Sequence, residues 1–203
     1  MVRLENINWP GSIFITIYHL LLLFLFPLYL SLRTPSIGLL VTTLVLILCI
    51  GLSITAGYHR YYSHKSYSTN KTMEVLFLIF GTLATENSIL KWAHDHRIHH
   101  RYVDTEKDPY SITKGFWHAH MLWIFQKDKP FNKAIVADLE DNKLLQFQQK
   151  YYYLLLLTLT SLLVIGFGIL FKDMFGAFVF LFLIRTFIVH HTTFSINSLA
   201  HFF

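Results

Sequence analysis

Four nearly unbroken apolar runs divide this chain, at about Ile13 to Leu30, Ile37 to Ala56, Tyr151 to Leu170 and Met174 to Val189. Each is near the ~20 residues that a bilayer-crossing helix needs, so the pattern predicts four membrane spans. Ser31-Leu32-Arg33-Thr34-Pro35-Ser36 reads as a tight turn between the first two, and Lys172-Asp173 as a shorter one between the last two. The spans therefore pair into two hairpins. A fifth run, Met73 to Ala84, is too short to span and leads into Glu86, Asn87 and Lys91. It predicts an amphipathic helix lying on the membrane. The rest of 57–150 is polar, with Asp108-Pro109 and Lys129-Pro130 as turn signals. The expected fold is an all-α membrane protein: spans at 13–30, 37–56, 151–170 and 174–189, and a helical cap at 57–150. Two hairpins put the cap and both chain ends on one side, which the positive-inside rule makes cytoplasmic.

Composition strengthens that picture. Of the 203 residues 54% are hydrophobic and 14% charged, where a soluble domain carries about 25% charged. Mean hydropathy is +0.45. Asn6, Asn8 and Trp9-Pro10-Gly11 precede the first apolar run and no small-residue cleavage site follows it, so the start is not a secretory signal. The single Cys49 lies inside an apolar run, which rules out a disulfide framework or a cysteine metal site. Net charge is +5, and 13 of the 17 basic and ten of the 12 acidic residues fall within 57–150. Such mixed charge between membrane spans argues against nucleic acid and for anionic headgroups or an acidic partner.

Candidate chemistry lies in the histidines. His96, His99 and His100 stand at i, i+3 and i+4, one face of a helix. Neutral imidazoles converging on one point suit iron, zinc or copper. His59 and His64 lie just beyond the second span, five apart, a spacing that would diverge on a regular helix. They can meet one centre if the helix ends there, and Gly57 permits a break. Asn197 and His201, at i and i+4, follow the fourth span. All three groups fall on one membrane face. Six histidines and an amide exceed the four ligands of a single zinc, so two metals are expected. His19 reads as a packed or interfacial histidine, and the His190-His191 pair as a candidate support for the metal ligands. These features point to a membrane metal oxidase.

The ordered set His59-Arg60-Tyr61-Tyr62-Ser63-His64, Trp92-Ala93-His94-Asp95-His96-Arg97-Ile98-His99-His100 and Asn197-Ser198-Leu199-Ala200-His201 resembles the stearoyl-CoA (delta-9) type of membrane fatty acid desaturase, from about Asn8 onward. The resemblance implies two iron ions (Fe2+), O₂ as oxidant and insertion of a cis double bond into a saturated acyl chain. It implies His59, His64, His96, His99, His100 and His201 as ligands, with Asn197 acting through water. It places Asn87, Asp95, Lys127 and Phe194 at the substrate. Three positions depart from the family: Asp128 after Lys127 in its basic pair, His94 for an Arg, and Phe194 for a Trp. Acyl-CoA and acyl-lipid both stay open as substrate carrier. The chain holds no flavin or haem motif, so a donor such as cytochrome b5 or ferredoxin is the implied partner, docking on the basic cap.

The family carries a further His-x-x-His-His box some tens of residues beyond the last motif, whereas this sequence ends at Phe203. The expectation is one desaturase domain over 1–203, incomplete at its carboxyl end and inactive alone. Two other readings fit the histidines: a diiron membrane hydroxylase, and a non-catalytic truncated metal-binding membrane protein.

Overall fold

The structure, a computed structural model, describes residues 4–127 and 129–202; Asp128 and Phe203 lie outside them. It is all-helical apart from one isolated bridge, Ile7 to Gln126. Helix α1 spans Trp9–Leu32. It starts where the Asn8 side chain accepts the Gly11 amide at 3.3 Å, with Pro10 in the first turn, where its missing N–H costs nothing. Helix α2, Ile37–Leu52, is capped by Ser36, whose hydroxyl accepts the Leu39 amide at 3.1 Å. It continues without a break as a π-helix over Ser53–Ser63. The expected helix end near Gly57 is therefore absent, a correction with consequences for His59 and His64.

In the cap, α3 spans Lys71–Leu83 and α4 Ile89–Arg101. Two short helices follow, α5 at Phe116–His120 and α6 at Ala137–Glu140. Helix α7, Lys143–Leu170, begins well before the apolar run and kinks at Tyr151, φ −112° and ψ 20°. Its polar first part has a job in the protein: buried Gln148 accepts the Ile89 amide at 2.9 Å and donates to Tyr58 and Thr82 at 2.9 and 2.8 Å. Helix α8, Met174–Ala177, leads through a second π-helix, Phe178–Ile184, into α9, Arg185–Leu199.

Among the described residues four helices are long and apolar enough to cross a membrane: Trp9–Leu32, Ile37–Ser63, Lys143–Leu170 and Met174–Leu199. All contain the expected apolar runs, and all four extend past them at the polar-cap end. Phe24, Leu157 and Ile169 are each about two-thirds exposed, a surface that suits lipid and not water. The α1–α2 and α7–α8 turns are tied together by Asp173, which accepts from Tyr29 at 2.7 Å and pairs with Arg33 at 3.1 Å. At the other end α3 and α4 both pack on the Ser53–Ser63 π-helix. Gly81 of α3 makes that approach possible, since a Cβ there would stand 2.2 Å from the Tyr58 ring.

Candidate metal centre

The π-helix brings His59 and His64 together. Its hydrogen bonds run from residue i+5 to i, so residues five apart come round to the same side of the helix. The His64 amide donates to the His59 carbonyl at 3.1 Å, and the two rings are 4.6 Å apart. Facing them, α4 presents His96 and His100, with ring centroids 4.4 Å apart. Ring nitrogens of His59, His64, His96 and His100 all lie within 4.8 Å of one another. Two nitrogens bound at ~2.1 Å to one ion can be at most about 4.2 Å apart. A small contraction onto one ion, or a pair of ions, therefore satisfies the set.

His99 and His201 make a second lobe, their rings 5.0 Å apart. His99 lies 5.3 Å from His100 and joins the two lobes. Each has a carboxylate behind it: Asp108 Oδ2 is 2.9 Å from His99 Nδ1, and Asp104 Oδ2 is 3.3 Å from His201 Nδ1. A carboxylate on Nδ1 fixes the tautomer and leaves Nε2 as the donor to a metal. Burial, then the His59 and His100 imidazoles, holds His96 far below its ordinary pKa. Burial, then His64, lowers His100. Neutral rings with free lone pairs fit a first-row divalent metal.

Arg97 locks α4 to the π-helix. Its guanidinium donates to the Tyr62 and Ser63 carbonyls at 2.8 and 3.1 Å, and to Asp138 at 2.6 and 3.0 Å. Those carbonyls belong to the last turn of the π-helix, which has no further turn to accept from.

A cavity of about 390 Å³, mostly apolar, opens beside the histidines. His59, His96 and Asn197 line it, as do the expected substrate residues Asn87, Asp95 and Phe194. Asp95 is held by Lys91 and by His94 Nδ1 at 2.8 Å. Lys127 is exposed and lies off the wall, its amide donating to Asn6 at 2.8 Å. The described residues thus set it apart from the other three. Neither His190 nor His191 is bonded to the clustered histidines; both join His19 and its neighbours.

A family model for fatty acid desaturases matches residues 35–203, through every one of these motifs. The chain belongs to the fatty acid desaturase family. It is 43% identical over 156 residues to acyl-CoA desaturase 1 of Saccharomyces cerevisiae, covering 75% of this chain and 30% of that protein. It is 36% identical over 160 residues to the delta(9)-fatty-acid desaturase fat-6 of Caenorhabditis elegans, covering 75% and 47%. It is 35% identical over 143 residues to the acyl-CoA delta(11) desaturase of Trichoplusia ni, covering 68% and 41%. The chain spans under half the length of these relatives.

Sequence reasoning missed several residues of this site. Asp104 and Asp108 follow the second histidine group closely, and Asp108 read only as a turn residue. Trp92, taken as part of a motif, stacks on His96 at 4.6 Å. Its indole N–H donates to Glu86 at 3.2 Å, and Thr193 donates to the same carboxyl at 2.8 Å. Burial raises Glu86 to about 7, against the pull of those two bonds. A lone acid closing an apolar helix was the only available signal for it.

Proposed function

We propose that the protein at its native length desaturates a saturated fatty acyl chain, carried as acyl-CoA, by placing a double bond at the delta-9 position, with two irons held by the histidines of this chain. His59, His64, His96, His99, His100 and His201 are the proposed ligands, and Asn197 acts through water. The observation that carries this reading is the convergence of histidines from three separate elements beside a mostly apolar cavity. The acyl-CoA desaturases among its relatives supply the substrate class, acyl-CoA. Delta-9 is preferred over delta-11 on the resemblance of the motifs to that type.

An unactivated methylene has no acidic proton, so side-chain acid–base chemistry cannot open it. Iron with O₂ supplies the oxidising power when bound. The protein's own work is to seat the acyl chain, exclude water and hold one carbon pair beside the histidines. Phe194 and the Trp92 face on His96 give the wall its shape, while Asn87 and Asp95 stand at its polar part. Electrons come from a small redox protein, cytochrome b5 or ferredoxin, docked on the basic cap. In the proposed topology two hairpins span the membrane and the 57–150 cap lies on the cytoplasmic face.

The test is expression of the protein at its native length in a desaturase-deficient host, with analysis of acyl chains. Appearance of cis-delta-9 product that is lost in His96→Ala supports the reading. Hydroxylated acyl chains in its place would move the chain to the hydroxylase alternative.

A further inference from the structure

Four histidines outside the proposed iron ligands connect to one another across three helices. His120 Nε2 of α5 is 3.0 Å from His191 Nδ1 of α9, and His191 Nε2 is 3.0 Å from His19 Nε2 of α1. Tyr18 Oη lies 3.4 Å from His19 Nε2 and 3.2 Å from His190 Nδ1. His190 Nε2 is 2.6 Å from Thr85 Oγ1 and 3.0 Å from the Ala84 carbonyl. At the far end Ser198 Oγ, which also reaches the Phe194 carbonyl, is 2.9 Å from His120 Nδ1. Thr85 and His190 line the same cavity as His59 and His96.

Two backbone carbonyls fix where the hydrogens sit, because a carbonyl only accepts. His19 Nδ1 is 2.7 Å from the Ile15 carbonyl, so it carries the hydrogen and Nε2 is bare. His191 must then donate from Nε2, which bares its Nδ1, and His120 donates to it from Nε2 when the Ser198 hydroxyl turns from the Phe194 carbonyl to His120 Nδ1. Likewise the Ala84 carbonyl places a hydrogen on His190 Nε2 and leaves Nδ1 to accept from Tyr18. His120, His191 and His190, with the Tyr18 hydroxyl, point their hydrogens along one path, while the His19 hydrogen stays on the Ile15 carbonyl and its bare Nε2 meets both His191 and Tyr18.

We propose that the path from His120 through His191, His19, Tyr18 and His190 to Thr85 is a relay that supplies protons to the cavity. A proton taken up at His120 Nδ1 releases the Nε2 hydrogen to His191 Nδ1, and the His191 Nε2 hydrogen moves to His19 Nε2. It passes to the Tyr18 oxygen, whose own proton goes to His190 Nδ1, and the His190 Nε2 proton leaves by way of the Thr85 hydroxyl. Imidazole is suited to this because His120, His191 and His190 each take a proton on one nitrogen and give one from the other, while His19 takes and gives at Nε2. The relay's purpose rests on the desaturase reading. That reaction converts R–CH2–CH2–R′, O₂, two electrons from the redox partner and two protons into R–CH=CH–R′ and two waters. Both protons must reach a cavity whose function requires it to be dry.

Two measurements on the protein at its native length test the relay. The first needs no turnover: nitrogen-15 NMR of labelled histidines in lipid nanodiscs reads each tautomer. His19 is expected as the Nδ1–H form, with His120, His190 and His191 as Nε2–H forms. His191 as an Nδ1–H ring or an imidazolium at neutral pH would overturn the relay. The second uses His191→Ala in the iron-loaded protein. The expected result is a kcat at least tenfold lower, with KM for acyl-CoA and iron per chain unchanged. Added imidazole should restore part of the rate, whereas N-methylimidazole, which fills the same space but cannot pass a proton between its nitrogens, should not. An unchanged kcat, equal rescue by both compounds, or loss of iron would each overturn the proposal. If no variant and no parent desaturates, the functional reading fails while the tautomers still decide the relay.

Discussion

The His64 amide reaches back five residues to the His59 carbonyl, at 3.1 Å. On an α-helix, residues five apart point about 140° away from each other. The π register brings the pair round to the same side, so both rings face α4 without the chain breaking. A π-helix is costlier than an α-helix and recurs where a function needs its register. Here the compensation is visible: Arg97 takes up the carbonyls at its end, and α3 braces it through Gly81.

The first prediction concerns that brace. Arg97→Ala leaves the Tyr62 and Ser63 carbonyls without their partner and removes the guanidinium from Asp138, which keeps Lys65 at 2.6 Å. Stability should fall by about 1–3 kcal/mol, the usual worth of charge-assisted bonds. Iron should also be lost faster to a chelator. Thermal unfolding and chelator kinetics check both effects, and an intact melting profile with unchanged chelator kinetics would contradict the role.

Replacing His59, His64, His96, His99, His100 or His201 by Ala should lower iron per chain and abolish product. His19→Ala should keep its iron, since no proposed ligand touches it. Metal analysis of the purified variants separates the two groups. Equal iron loss at His19 and His96 would count against the ligand set.

Asp108→Asn keeps the shape behind His99 but removes the charge that orients it. Iron affinity should weaken 10- to 100-fold, the usual effect of losing such an outer partner. Competition with a metal-sensitive dye measures it. An unaltered affinity would show that His99 needs no anchor.

Glu86 gives a pH signature. Its folded pKa of about 7 exceeds the ordinary 4.5, so its contribution is fully present below 4.5 and is lost as pH rises towards 7. Glu86→Gln imitates the protonated group at every pH. The variant should match the parent near pH 4.5 and melt a few degrees higher at pH 8, by roughly the Tm change that a few kcal/mol brings. A constant offset across that range would show that Glu86 is not the group responsible.

Much of this arrangement could be read from the residues. Apolar run length located all four long helices, and the i, i+3, i+4 spacing placed His96, His99 and His100 together. The π-helix was not legible, because its register depends on what Arg97 and α3 supply from elsewhere in the chain. The early start of α7 was hidden for a similar reason: Gln148 looks like surface in the sequence but satisfies Ile89, Tyr58 and Thr82 in the interior. Asp104 and Asp108 were unreadable as partners because a loop, with no periodicity, carries them back to the histidines. His19, His120 and His191 come from three distant segments, and only the packing of α1, α5 and α9 joins them.

The most direct test of the central claim is to locate the metal. Anomalous scattering at the iron edge, on crystals of the iron-loaded protein at its native length, reports where iron sits. The account predicts two iron positions between the π-helix and α4, with nitrogens of His59, His64, His96, His99, His100 and His201 at about 2.1 Å. Iron lodged among His19, His120 and His191, or absent from the space between His59 and His96, would contradict it.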